Sequence, residues 1–449
     1  MDMGTAMDRK PAASERRRAR LVAACVAAAG TFVTAGARAQ EVRVDTTLQS
    51  RLTYTDNVDT DADKKQGDWI AEVSPGLSIR RDGSRLSGVL NAQLRNLVYA
   101  RDSERNESFV SLGGRGVFEA VEEKLFIDMD ARISRDNRSA FSGRGAGSVV
   151  DADKNNETRN FAIGPRLQLK PFGSATAMLG YKHSWMDGGG EIDSRQVGRL
   201  TAQLTDFEAT SVLGWGLDLQ QERSRYDEDS DRDVDRSAVR GMIYFNATPR
   251  FRPVIGGGRE RNDFGSGSSQ DGTIKSAGFE WMPSPATTLN VLVEDRFFGT
   301  GYKAELNRRR PRSNWSISAL RDVNSPLDEV PGAQAELLYQ QYYDALGSIA
   351  DPVARDAEAR RLADQQLANG SFRFQSNNYY VSQTLRGNVS LIGKRSVLTL
   401  TLQQTRRNRL GEANLQDSGD DFARFDTVKD RSASLSLAHK LSPQSSGNL

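Results

Sequence analysis

Residues 125–134 read LFIDMDARIS, and the spacing of their apolar side chains decides the fold. Leu125, Ile127, Met129, Ala131 and Ile133 take every second position, with Asp128, Asp130, Arg132 and Ser134 among the positions between. Successive side chains of a β-strand point to opposite faces, so this stretch is a strand with one apolar and one charged face. A helix would scatter the same residues around its axis.

The same period-two pattern recurs on both sides. Upstream it runs through Val42, Val44, Leu48, Leu52 and Tyr54, then Trp69 to Ile79, Leu86 to Leu94 and Val110 to Phe118. Downstream it returns in Phe161–Leu169, Ala177–Trp185, Leu200–Leu204, Leu213–Leu219, Val239–Ala247 and Phe251–Ile255. It continues in Ala277–Trp281, Leu289–Phe297, Trp315–Ala319, Leu385–Leu391, Leu398–Leu402 and Ala433–Leu441, which makes seventeen rows with that at 125–134. The opposite faces are polar throughout: Asn160, Arg166, Gln168 and Lys170 behind one row, Arg199, Thr201 and Gln203 behind another.

Composition narrows the class. Only 37% of the residues are hydrophobic and 27% are charged, and beyond the N-terminus no window holds eighteen consecutive apolar residues, which excludes a helical membrane protein. Low hydrophobicity alone would allow disorder, but the sustained alternation argues against it. Arg16, Arg17, Arg18 and Arg20 precede an apolar segment at 21–35 and an Ala37-Arg38-Ala39 motif, the pattern of a cleaved secretory signal peptide over residues 1–39. A lipoprotein signal would need acylation at Cys25, which only four residues separate from Arg20. Cleavage after Ala39 removes seven Lys/Arg and three Asp/Glu from totals of 61 and 59, leaving 54 against 56 and a net charge of −2. It also removes the single cysteine, and the near-neutral product is no nucleic-acid binder.

Alternation by itself fits a soluble sandwich as well as a membrane barrel; the connections separate them. Short joins, at 80–84, 119–124, 170–174, 206–210, 247–251, 283–286 and 392–395, alternate along the chain with longer, hydrophilic ones at 55–66, 100–107, 137–157, 187–195, 221–235, 261–272, 298–310 and 405–424. That regularity puts all long loops at one rim, as in outer-membrane barrels with short periplasmic turns. In lipid each strand N–H and C=O needs a neighbour, so a spanning sheet must close. The expected architecture for residues 40–449 is therefore all-β: a transmembrane antiparallel up-and-down β-barrel of about 17–18 or more strands, embedded in outer-membrane lipid and lipopolysaccharide.

One segment breaks the rhythm. Residues 324–375 carry two helical patterns near 331–370, one bracketed by Pro331 and Gly347, the other by Asp351, Pro352 and Gly370. Leu337, Leu338, Tyr342 and Leu346 can share a helix face. Counted by parity, this insertion falls on the periplasmic side. There it could plug the lumen, cover the mouth, dock a periplasmic export protein, or simply pack.

Taken together, SRLTYTDNV (50–58), SPGLSIRRDG (74–83), LFIDMDARIS, ADPVARDAEARRLADQQL (350–367) and SLAHKLSPQSSGNL (436–449) resemble the outer-membrane β-barrel family associated with PEP-CTERM and exosortase systems. The motifs are specific as a set and weak singly. The resemblance implies a Gram-negative outer membrane and a role near exopolysaccharide export or surface and biofilm assembly, with no biochemical activity to carry over. A general porin and a non-conducting scaffold remain alternatives. Chains of that family end in a strand with a terminal aromatic residue, whereas this one stops at Leu449. With seventeen rows, an odd number, this predicts a further strand beyond the sequence, a miscounted strand, or a degenerate C-terminus.

No enzymatic constellation stands out. His183 and His439 are the two histidines, both on outward rows, and neither lies at a recognisable spacing from a serine and a carboxylate. The acidic runs at 59–65 and 227–235 lack the glycine and glutamate of an EF-hand loop, so no metal site is assigned. Glycine groups at 143–147, 188–190 and 256–258 have no phosphate-loop context. No cofactor is implied. The candidate site is the lumen, where Arg95, Asp128, Asp130, Arg132, Arg166, Arg199, Asp218, Arg240 and Arg386 are expected to point inward. Guanidinium groups bind carboxylates and amides match sugar hydroxyls, which suits an acidic polysaccharide. Opposed Arg and Asp cross-linking the wall would leave the same pattern.

Overall fold

The computed structural model describes residues 42–58, 65–137, 155–187, 194–227, 233–264, 269–324, 376, 378–410, 421–442 and 445–448. The expected signal peptide and the two helices expected at 331–370 lie outside these residues. Nineteen strands follow one another: β1 (Val42–Thr55), β2 (Asp68–Asp82), β3 (Leu86–Tyr99), β4 (Glu107–Val121), β5 (Leu125–Asn137) and β6 (Asn155–Leu169). Next come β7 (Thr176–Asp187), β8 (Arg195–Asp206), β9 (Leu213–Tyr226), β10 (Val234–Phe245), β11 (Phe251–Asp263), β12 (Ser269–Ser284) and β13 (Thr287–Arg296). The series ends with β14 (Gly299–Arg310), β15 (Ser313–Asn324), β16 (Tyr380–Ile392), β17 (Ser396–Arg409), β18 (Thr427–Ser442) and the short β19 (Ser445–Asn448).

Every strand pairs antiparallel with its sequence neighbours, from β1–β2 to β18–β19, in an up-and-down meander. Strands β1 to β18 are 10 to 16 residues long, enough for the 9–11 that a tilted membrane strand requires. Among the described residues no ladder joins β1 to β18. The sheet is nonetheless strongly curled. Ser224 on β9 and Tyr379 beside β16 are separated by seven strand spacings, about 34 Å in a flat sheet at ~4.8 Å each, yet their hydroxyls lie 2.9 Å apart.

The faces are inverted relative to a soluble core. Leu48, Leu52, Ile255 and Leu435 are exposed, the first at 74%, while Glu72, Glu222, Glu260, Glu294 and Arg296 are buried. Four of the five tryptophans mark the rims in aromatic contacts or in the open: Trp69 and Trp185 near the longer connections, against Tyr54 and Phe161, and Trp215 and Trp281 near the short turns. Trp315 joins the short-turn rim, two residues into β15. An outward apolar band between two aromatic girdles and around a polar interior is the construction of an outer-membrane protein.

All seventeen expected rows are strands, and the structure adds one more inside the chain. The loop expected at 298–310 is β14, which pairs in full register with β13 and β15. Its apolar row is only Tyr302, Ala304 and Leu306, and Gly299, Gly301 and Arg308-Arg309-Arg310 make it read as a connection. Its ladder partners decide the matter: Ala304 sits between Val291 and Ala319, and Leu306 between Leu289 and Ile317.

This strand reverses the parity of everything after it. The connection 325–379 joins β15 to β16 and so departs from the rim of the other long connections, among them 56–67, 138–154 and 410–426. The parity count that put the insertion at the short-turn end therefore shifts by one: its described ends, Asn324 and Tyr379, are at the long-loop rim. The short turns 83–85, 122–124, 311–312 and 393–395 occupy the other end.

Candidate functional site

The interior is built by the residues of even or odd parity that each strand turns away from its apolar row. The nine expected lumen residues do lie on this polar face, and the structure supplies the partners that parity alone could not. Asp128 on β5 accepts two hydrogen bonds from Arg166 on β6, from Nε at 2.8 Å and Nη2 at 3.1 Å, and the Arg166 guanidinium lies 4.7 Å from the Phe126 ring. Asp130 accepts from Lys182 Nζ at 2.5 Å, with Arg115 Nε at 3.7 Å. Arg132 Nε donates to Ser134 Oγ at 3.2 Å. Arg95 Nε donates to Glu72 Oε1 at 2.5 Å and stacks over Phe109 at 5.0 Å.

From β8 onward the pairs fuse into two chains of charges. Arg199 donates to Glu222 Oε2 from Nε at 2.9 Å, and Arg236 Nη1 stands 3.7 Å from Glu222 Oε1. Asp218 accepts from Gln203 at 3.1 Å and faces Arg240 Nη1 at 3.6 Å. Arg240 Nε in turn donates to Glu294 Oε1 at 3.1 Å. Arg296 follows on the same strand, bonded to Glu260 Oε2 at 3.0 Å and Asp322 Oδ1 at 2.7 Å, with Glu294 Oε2 at 3.8 Å. Glu260 also accepts the backbone N–H of Phe297 at 3.0 Å.

The glycine run 256–258 explains how Arg240 reaches across two strands. Gly258 lies opposite Arg240, and Gly256 opposite Ser276, whose hydroxyl donates to Glu294 at 3.0 Å. These glycines turn no side chain to the inner face of β11, so a long guanidinium can pass over it. A Cβ at Gly258 would also run into the backbone carbonyl of Val239. The run is a packing device.

Of the nine residues, Asp128 pairs with Arg166 and Asp218 with Arg240. Glu72, Glu222, Glu260, Glu294 and Arg296 complete the network. Their inward parity was visible in the sequence, but register on neighbouring strands was needed to choose them. Arg386 Nε donates to Gln403 Oε1 at 3.0 Å, with no carboxylate partner among the described residues.

The long-loop mouth carries a second cluster. Tyr226, Val234, Val323, Tyr379 and Val381 are buried together, with Phe264, Phe297, Phe298 and Leu410 packed against them. Tyr379 binds Ser224, stacks near Phe264 at 5.5 Å, and has the Arg236 guanidinium 5.9 Å above its ring. Burial pushes its phenol well above the ordinary tyrosine pKa, with Tyr226 and Glu222 acting in the same direction. These contacts span the interior from β9 and β10 to β16.

The histidines remain on the outer face. His183 lies 4.4 Å edge-on from Trp185 and within 3.4 Å of the Tyr181 hydroxyl. His439 Nδ1 is 2.8 Å from Ser396 Oγ at the short-turn rim, a contact across the β17–β18 ladder that spacing could not reveal. No carboxylate joins this pair among the described residues, and none of them groups three metal-ligating side chains. An apolar cleft of about 410 Å³ lined by Leu167, Phe172, Leu179, Ala202 and Leu217 opens on β6 to β9, along the outward row.

No family model and no curated protein matches this chain. Among solved structures it is similar to the siderophore receptor PirA from Acinetobacter baumannii, with a TM-score of 0.39 at 10% identity over 90% of this chain and 75% of that one. It is also similar to the apoprotein form of the FrpB iron transporter from Neisseria meningitidis, with a TM-score of 0.44 at 10% identity over 90% of this chain and 67% of that one.

Proposed function

We propose that this chain is an outer-membrane barrel protein that serves exopolysaccharide export or assembly of polysaccharide at the cell surface. The observation that carries this reading is the inverted interior: a wall of hydroxyls, amides and paired charges enclosed by an outward apolar band. Such a wall offers donors and acceptors to a hydrated polymer while lipid covers the outside. The resemblance to the PEP-CTERM and exosortase-associated barrels supports the polysaccharide class. Because its arginines are largely satisfied by carboxylates, the wall favours a polymer with few acidic groups over a densely charged one. No catalytic step is assigned to it.

The test is planar-bilayer recording on the purified chain. Discrete conductance steps that soluble polysaccharide blocks from one side support a conduit. A silent protein removes it and leaves the second reading, a non-conducting scaffold. The mouth cluster around Tyr379 favours that alternative, because it places packed side chains across the opening.

A further inference from the structure

Toward the short turns, the inner wall formed by β15, β16 and β17 differs from the charge-paired wall beside it. From Thr384 to Ser390 on β16 the inward positions are Thr384, Arg386, Asn388 and Ser390, and β17 faces them with Thr405, Gln403, Thr401 and Thr399. Most of these groups satisfy one another. Ser390 and Thr399 hydroxyls lie 3.1 Å apart, and those of Thr384 and Thr405 3.4 Å.

Two amides do not. Oδ1 of Asn388 and Oδ1 of Asn314 are both shut away from bulk water and accept no hydrogen bond. Asn388 is only 7% exposed. Asn314 stands opposite Ser390 and Asn388 opposite Ser316, so the two amides occupy diagonal positions on one face, roughly 7–8 Å apart. Both lie near the short-turn end, beside the turns 311–312 and 393–395. Native interiors rarely leave such atoms without a partner.

The chemistry of the missing partner follows from the amide. Turning either side chain over would exchange the orphan oxygen for an orphan N–H. A hydroxyl both donates and accepts, so it satisfies either orientation. Two hydroxyls on one rigid framework can serve both amides at that spacing, and no carboxylate or lysine lies among the inward positions of β16 and β17 named above.

We propose that Asn314 and Asn388 form a subsite for a neutral, polyhydroxylated saccharide segment at the short-turn end of the interior, with Arg386 and Gln403 beside it. This rests on the polysaccharide reading above and names where in the wall the chain is held. Neutral saccharide enters from the end of the short turns, and the side chains that cover the two amide oxygens turn aside to admit its hydroxyls.

The test is binding of maltohexaose to the full chain folded in detergent micelles, measured by saturation-transfer NMR and calorimetry. Wild type is expected to bind. Asn314→Leu and Asn388→Leu are each expected to weaken binding by about tenfold, as one lost hydrogen bond implies. Heat-modifiable gel mobility checks that the variants fold, and Asn388→Ser replaces any that does not. Absence of binding to wild type, or equal affinity in the variants, overturns the subsite and assigns the amides to trapped water. Because this readout needs no current, the two ideas fail separately: a silent bilayer with intact, Asn388-dependent binding removes only the conduit. A conducting protein whose variants bind as wild type does removes only the subsite.

Discussion

Tyr379 and Ser224 share a hydrogen bond at 2.9 Å although 155 residues separate them in the chain. The bond crosses the interior from the segment entering β16 to β9. It ties the long β15–β16 connection to the wall at the mouth, with Arg236 above the ring and Phe264 beside it. This clasp makes the mouth a packed structure.

Its pH dependence has a definite sign. The Tyr379 phenol is raised above its ordinary value by burial, so the fold favours the neutral form. That contribution is whole below the unfolded tyrosine pKa of about 10 and is lost as pH rises from there toward the folded-state value. Hydrogen exchange of residues 378–382 should therefore accelerate above about pH 10, and Tyr379→Phe should blunt that acceleration. The phenylalanine variant should also lose about 1 kcal/mol of local stability at neutral pH, the net worth of one hydrogen bond. Identical exchange profiles for the two proteins would sink the assignment.

Arg296 meets three carboxylates, Glu260, Glu294 and Asp322, with side-chain exposures of 4% for itself and 1% for Glu260. Arg296→Met leaves Glu260 and Glu294 buried with a partner removed, which costs about 3–5 kcal/mol. Urea unfolding in lipid vesicles, followed by tryptophan fluorescence, measures the loss. Adding Glu260→Gln to Arg296→Met should recover part of it, since the penalty comes from the stranded carboxylate. A single variant as stable as wild type would show that the charges are solvated and the interior wide.

Val239 sits mid-strand on the outer face of β10 and is 43% exposed. If that face meets hydrocarbon, Val239→Arg destabilises the folded protein by about 2–4 kcal/mol, while Val239→Leu does little. In a water-facing sheet the order would reverse, because arginine is harmless on a solvated surface. The same vesicle unfolding assay distinguishes the two.

Much of this architecture can be read locally. The alternation in LFIDMDARIS and its relatives reports directly which side chains share a face, because the geometry of an extended backbone leaves no other choice. From that came the strands, the inward parity of Arg95, Asp128, Arg166 and Arg240, and the rule of short and long connections. Where a strand is weakly marked, local reading fails. β14 has three modest apolar residues amid glycines and arginines, and its omission placed the β15–β16 connection at the wrong rim.

What the amino-acid order determined by itself was period and polarity: an extended chain with a greasy side, a wet side, and turns at regular intervals. Tertiary structure alone decided which charge meets which, since Glu294 finds Arg240 only after four strands align and two glycines clear the way. It also decided that Tyr379 would close over Ser224. Those contacts depend on register and curl, which arise from the sum of many ladder bonds and are encoded in no single segment.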